Sequence, residues 1–125
     1  MKHEEITTDE VAKPVGPFSA AVRTEPFIFV SGRVAQDPAT GALIDGDVAA
    51  QTEQALRNID AVLKAGGKTL DDVVRVGVYL TDMADFTAVN GAYEKMFSAP
   101  YPARTTIGVA ALPLGAAVEI DVIAC

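Results

Sequence analysis

The chain has 125 residues, half of them hydrophobic and 22% charged, which fits one compact domain spanning residues 1–125. A formal net charge of −7 with no basic run speaks against nucleic acid and anionic membrane surfaces as partners, and no apolar run approaches the length of a bilayer span. One cysteine, Cys125, and one histidine, His3, rule out an intrachain disulfide and a cysteine zinc cluster and leave a histidine triad or metal site close to excluded, so chemistry falls to Arg, Glu/Asp, Ser/Thr, Asn, Tyr, backbone groups or a cofactor.

In chain order, residues 1–10 are polar and acidic, unlike a secretory leader, which makes cytoplasmic residence the expectation. His3 is expected in a frayed tail. A short strand is expected at residues 5–8. Residues 20–23 and 27–31 read as strands around a tight turn at Thr24-Glu25-Pro26, and Pro38 and Gly41 mark a further turn. Residues 47–65 form the clearest helix, with Val48, Ala55, Leu56, Ile59, Val62 and Leu63 on one stripe. Glu53/Arg57 and Asp60/Lys64 lie four apart on its polar side, and Gly66-Gly67 ends it. The following Lys68-Thr69 lacks the spacing of a phosphate loop and belongs to this helix stop.

Residues 73–81 read as a strand with Val74, Val76, Val78 and Leu80 facing one way and Val73, Arg75, Gly77, Tyr79 and Thr81 the other. Asp82 is the expected N-cap of a second helix ending near Phe97, with Phe86, Val89, Tyr93 and Met96/Phe97 on its buried face. Pro100 and Pro102 bar its continuation. Strands at residues 103–109 and 118–124 finish the chain, the last placing Val118, Ile120, Val122 and Ala124 opposite Glu119 and Asp121. The order predicts an α+β fold, a mixed sheet with two helices on one face. The other face, carrying Phe27, Phe29, Tyr79 and Ile123, has no third helix to cover it, so self-association is expected.

Five residues invite a chemical reading. Arg104 enters an apolar strand after two prolines, and its planar fork suits a carboxylate ligand; the alternative is a structural salt bridge to Glu119 or Asp121. Glu119, in an apolar strand, can orient water or move protons, or simply face solvent. Ser31-Gly32 closes a strand where the glycine admits close approach of another group, or is an ordinary strand end. Asn90 shares a helix face with Phe86 and Tyr93, and serves either binding or core hydrogen bonding.

Arg104 and Glu119 fall within Pro102-Ala-Arg-Thr-Thr-Ile-Gly-Val-Ala-Ala-Leu-Pro-Leu-Gly-Ala-Ala-Val-Glu-Ile120, which resembles the signature of the Rid family, the reactive intermediate deaminases, also called YjgF. Gly16-Pro17-Phe18-Ser19, Phe29-Val-Ser-Gly32, Asp37-Pro-Ala-Thr-Gly41, Gln51-Thr-Glu-Gln-Ala-Leu-Arg-Asn-Ile59 and Val89-Asn-Gly-Ala-Tyr93 resemble further blocks of that family in order, over nearly the whole chain. The resemblance implies a chorismate-mutase-like homotrimer with ligand clefts between subunits. It implies hydrolysis of 2-aminoacrylate-type enamines, through their 2-imino acid tautomers, to 2-oxo acids and ammonia, with neither cofactor nor metal. By resemblance, Arg104 is the carboxylate-binding arginine and Glu119 the water-orienting glutamate, while Phe18, Ser31, Gly32, Asn90 and Thr106 line the cleft. Phe18 stands where many members carry Tyr, and Thr106 where many carry Cys; Thr105, after the arginine, departs mildly from a usually small or apolar residue. The readings left beside this one are a non-catalytic binder or sensor of 2-oxo acids or amino acids, a pathway-specific aminoacrylate or aminomuconate deaminase, and a ribonuclease, against which the charge weighs.

Overall fold

The computed structural model describes residues 2–125. Strands β1 (Glu4–Ile6), β2 (Ala21–Thr24) and β3 (Phe27–Arg33) precede helix α1 (Val48–Ala65). Strand β4 (Val73–Leu80), helix α2 (Phe86–Met96), β5 (Ala103–Gly108) and β6 (Val118–Ala124) follow. The architecture is α+β, with one six-stranded sheet in the order β1-β2-β3-β6-β4-β5. All neighbours are antiparallel except β4 and β5, which are parallel. The parallel pair needs a crossover, and α2 supplies it.

Helix α1 is specified locally at both ends. Asp47 accepts a hydrogen bond from the Ala50 amide at 2.9 Å, satisfying one of the first-turn N–H groups. At the other end Gly67, at φ +82°, allows the Lys68 and Gly67 amides to donate back to the carbonyls of Leu63 and Lys64. Between them Ala55, Leu56, Ile59, Val62 and Leu63 are fully buried against Ile28 and Val30 of β3, Val76, Val78 and Leu80 of β4, and Val118, Ile120 and Val122 of β6. Each large aliphatic side chain so removed from water contributes roughly 1.5–3 kcal/mol. The polar-face pairs Glu53–Arg57 and Asp60–Lys64 form at 3.8 and 2.8 Å.

Four local expectations are corrected. The first strand sits at Glu4–Ile6 rather than at residues 5–8. Val74 is 46% exposed while Val73 is buried, because the β4–β6 register slips between Val73 and Arg75; the bulge ejects Val74 and returns Val73 to the core face. Asp82 caps a 3₁₀ turn, Met83–Asp85, by accepting from the Ala84 amide, and α2 starts only at Phe86. Phe86 is 39% exposed rather than core, a displacement that matters for the site.

Both helices pack on one face of the sheet, as Val89 and Tyr93 of α2 share the core cluster with α1. On the other face Phe27 and Phe29 are exposed and meet in a tilted pair, 6.2 Å between ring centroids and 54° between planes, while Tyr79 and Ile123 are half-buried. Among the described residues no helix is long and apolar enough to cross a membrane.

Candidate functional site

Strand alternation decides which side chains meet. Arg104 pairs with Val76 and Thr106 with Val78 in the parallel β4–β5 ladder, so both lie on the helix-facing side with those core valines. Glu119 pairs with Tyr79 and Asp121 with Gly77, which places both carboxylates on the opposite, uncovered face. An ion pair from Arg104 to Glu119 or Asp121 within the chain is therefore not formed. None of the ion pairs among the described residues involves Arg104.

Arg104 is seated by α2 instead. Phe86, Asn90 and Tyr93 recur at four- and three-residue spacing, which brings them onto one helix face. The Arg104 Nη2 donates to Asn90 Oδ1 at 2.7 Å, and Cζ stands 4.7 Å from the Tyr93 ring centroid and 5.6 Å from that of Phe86. A guanidinium over two ring faces is held by cation–π attraction that leaves its remaining N–H groups in plane and unspent. Tyr93 is itself wedged against Phe97 at 4.5 Å; burial pushes its phenol pKa up, against the opposing pull of Arg104. A cleft opens here, lined by Asn90, Tyr93, Glu94, Tyr101, Pro102 and Arg104. Thr106, two residues along β5, keeps a buried Oγ1 with no partner.

The uncovered face gathers the other predicted residues. A Cβ at Gly32 would stand 2.6 Å from Glu119 Oε2, so the group that approaches this glycine is the Glu119 side chain, and any larger residue at 32 displaces it. Burial, and then the neighbouring Asp121 charge, raise the Glu119 pKa above the ordinary glutamate value. The Ser31 hydroxyl donates to the Ser19 carbonyl at 2.7 Å and the Ser31 amide to the Ala20 carbonyl at 3.0 Å, fixing the segment that carries Phe18. Phe18, Phe29 and Ser31 line one groove together with His3, which is exposed and precedes β1.

The seven predicted site residues thus divide in two. Arg104, Asn90 and Thr106 stand on the helix side at the β5 edge. Glu119, Gly32, Ser31 and Phe18 stand on the uncovered face, with β4 between β6 and β5. Sequence reasoning misses Tyr101 and Glu94 as lining residues and gives Phe86 and Tyr93 to the core. The spacing of 86, 90 and 93 on one helix face was the available signal.

Residues 8–125 match the family model described as Endoribonuclease L-PSP, the model of the YjgF/RidA proteins. The chain belongs to the YjgF/RidA family. It is 44% identical over 119 residues to a 2-iminobutanoate/2-iminopropanoate deaminase of Capra hircus, covering 95% of this chain and 87% of that one. RidA from the Antarctic bacterium Psychrobacter sp. PAMC 21119 superposes with a TM-score of 0.93 at 42% identity, covering 97% and 98% of the two chains. E. coli TdcF, solved with bound serine, superposes with a TM-score of 0.92 at 32% identity over 97% of each chain.

Proposed function

We propose that this protein hydrolyses 2-imino acids, formed from 2-aminoacrylate-type enamines, at clefts between copies of a chorismate-mutase-like homotrimer. The observation that carries the reading is the Arg104 seat: a guanidinium caged by two rings, bonded to one neutral amide, facing a cleft and lacking a carboxylate partner. Such a cation is prepared for a ligand carboxylate. The half-buried Glu119, with a raised pKa, suits the complementary task of orienting water and moving protons. Because the two groups occupy opposite faces of one chain, a single cleft containing both takes Arg104 from one copy and Glu119 from the next. The uncovered Phe27–Phe29 face gives such an assembly apolar area to bury.

The reaction asks little of the protein. In R–C(=NH2+)–COO− + H2O → R–CO–COO− + NH4+, the carbon is already electrophilic. Arg104 would fix the carboxylate, with Asn90 steadying the guanidinium. Glu119 would take a proton from the attacking water and return it to the departing nitrogen. Ser31, Gly32, Phe18 and Thr106 would shape the cleft around the R group. The deaminase name of the 44% identical relative supports the reaction class, and the net charge of −7 weighs against RNA despite the description of the family model.

The amino acid bound in E. coli TdcF favours one second reading, a binding or sensing protein for small carboxylates without turnover. Freshly generated 2-aminoacrylate separates the two: accelerated release of ammonia and 2-oxo acid supports the enzyme, and binding without acceleration leaves the sensor. Light scattering should report about three times the chain mass of 13.1 kDa; a monomer removes the shared cleft.

A further inference from the structure

Beside Glu119 on the uncovered face lies an arrangement that the proposed reaction does not use. The Tyr79 hydroxyl donates to Asp121 Oδ2 at 2.8 Å. A Cβ at Gly77 would stand 2.5 Å from Asp121 Oδ1 and 2.9 Å from the Tyr79 hydroxyl, so the hydrogen-bonded pair occupies the space that the glycine leaves. Glu119 is treated likewise on the other side of β6, lying over Gly32 of β3. Two carboxylates two residues apart on one strand face therefore lean in opposite directions, Asp121 over β4 and Glu119 over β3. The Tyr79 ring, opposite Glu119 in the β4–β6 register, fills the β4 side and leaves Glu119 the β3 side.

We propose that Asp121, pinned by Tyr79 in the niche opened by Gly77, is a positioning residue for Glu119: it holds the Glu119 carboxyl toward Gly32 and sets the charge against which that carboxyl takes up and releases protons. The inference rests on the reading of Glu119 as the proton-moving group. The groups facing Glu119 are few. On β6 there is Asp121, and on β4 there are Tyr79 and Arg75. On β3 Ser31 and Gly32 carry no charge, and Arg33 is buried on the core side with Ile120. On β5 Thr105 and Ile107 share this face. Asp121 raises the pKa of Glu119, after burial, and the bond to Asp121 is the first cause of the raised Tyr79 pKa, as expected of a phenol whose proton is engaged by a carboxylate.

The test uses the 125-residue chain and two near-isosteric variants. Asp121→Asn keeps an acceptor for Tyr79 and removes the charge; Tyr79→Phe keeps the ring and removes the tether. The Glu119 side-chain carboxyl carbon, assigned by its loss in Glu119→Gln, is titrated by NMR, and the pH profile of imine hydrolysis is recorded on the same samples. Asp121→Asn should move both the Glu119 midpoint and the acid limb of the rate profile to lower pH. Tyr79→Phe should lower kcat about tenfold with KM unchanged, because the carboxylates lose their fixed placement while the carboxylate seat at Arg104 is untouched. A Glu119 midpoint unmoved in Asp121→Asn, or a Tyr79→Phe enzyme with wild-type kcat, overturns the inference. A midpoint that moves while the rate profile stays put upholds the coupling and instead removes Glu119 from the chemistry.

Discussion

The two halves of the candidate site are built on opposite plans. On the helix side, Arg104 is complete within one chain: rings above it, an amide beside it and a cleft in front. On the other side, Glu119 and Asp121 rest on strands thinned by glycine, partly desolvated and mutually repelling. A guanidinium held over aromatic rings keeps its geometry in an isolated subunit. A pair of like charges on an open sheet face gains its working environment only when something covers that face. On the proposed reading, carboxylate recognition would be a property of the chain, and proton transfer a property of the assembly.

The largest expected effect comes from breaking the self-contained half. Arg104→Ala should abolish acceleration of imine hydrolysis and binding of 2-oxo acids such as pyruvate while leaving the melting temperature nearly unchanged. Arg104→Lys should rescue poorly, since a point charge does not reproduce the fork. Calorimetric melting and turnover on the same variant check this. A large loss of stability would recast Arg104 as structural.

Breaking the other half should cost less. Glu119→Gln should lower turnover on the order of 10²-fold, the scale of general acid–base help, with affinity for 2-oxo acids retained in a binding titration.

Combining the two variants sharpens the contrast further. Arg104→Ala and Glu119→Gln subunits, each nearly inactive alone, should regain activity when unfolded together and reassembled. A cleft that pairs one copy's Arg104 with the next copy's Glu119 is intact in about a quarter of random neighbours at equal mixing (one half times one half) in a closed ring. No recovery in the mixed assembly means that both groups do not serve one shared cleft.

The smallest effect concerns stability and pH. The folded-state pKa of Glu119 is raised, so between the unfolded and folded values the native state binds the extra proton. Stability is then favoured at low pH and falls as pH rises through that window. Glu119→Gln should therefore melt at or above the wild type at neutral pH, by no more than a few degrees, and the difference should vanish below the ordinary glutamate range. Scanning calorimetry across that range, with a wild type that gains stability as pH rises, would reverse the sign.

Much of this was legible because period and punctuation agree. The α1 stripe, its Asp47 cap and its Gly66-Gly67 stop are local signals, and so is the alternation of β6. The misplaced elements each lost to a nonlocal term. Val74 obeys the alternation of its own strand until a register slip against β6 overrules it. Phe86 has the spacing of a core residue, yet it stands beside a strand edge where Arg104 needs a ring. Gly32 was read as a place of close approach, but its partner lies 87 positions away in Glu119 (119 − 32). Arg33 lies beyond the strand expected at residues 27–31, yet it belongs to β3 and is 6% exposed, with one bond to the Ala12 carbonyl at 3.2 Å, and burial lowers its pKa. The division of the site across two faces follows from strand alternation. It became readable only once β4 was known to lie between β5 and β6.

The two glycine niches also constrain how this sequence can drift. Position 32 is free to gain a side chain only after position 119 has shortened, and position 77 only after Asp121 or Tyr79 has changed. The order of substitutions therefore matters as much as their identity. In a combinatorial library scored for folding rather than turnover, a side chain at 32 should be accepted only with a shortened residue at 119, and one at 77 only with a change at 121 or 79. The strip around Glu119 and Asp121 is thereby buffered against gradual change, whereas the surroundings of Arg104, built from side chains on a helix surface, remain open to stepwise tuning.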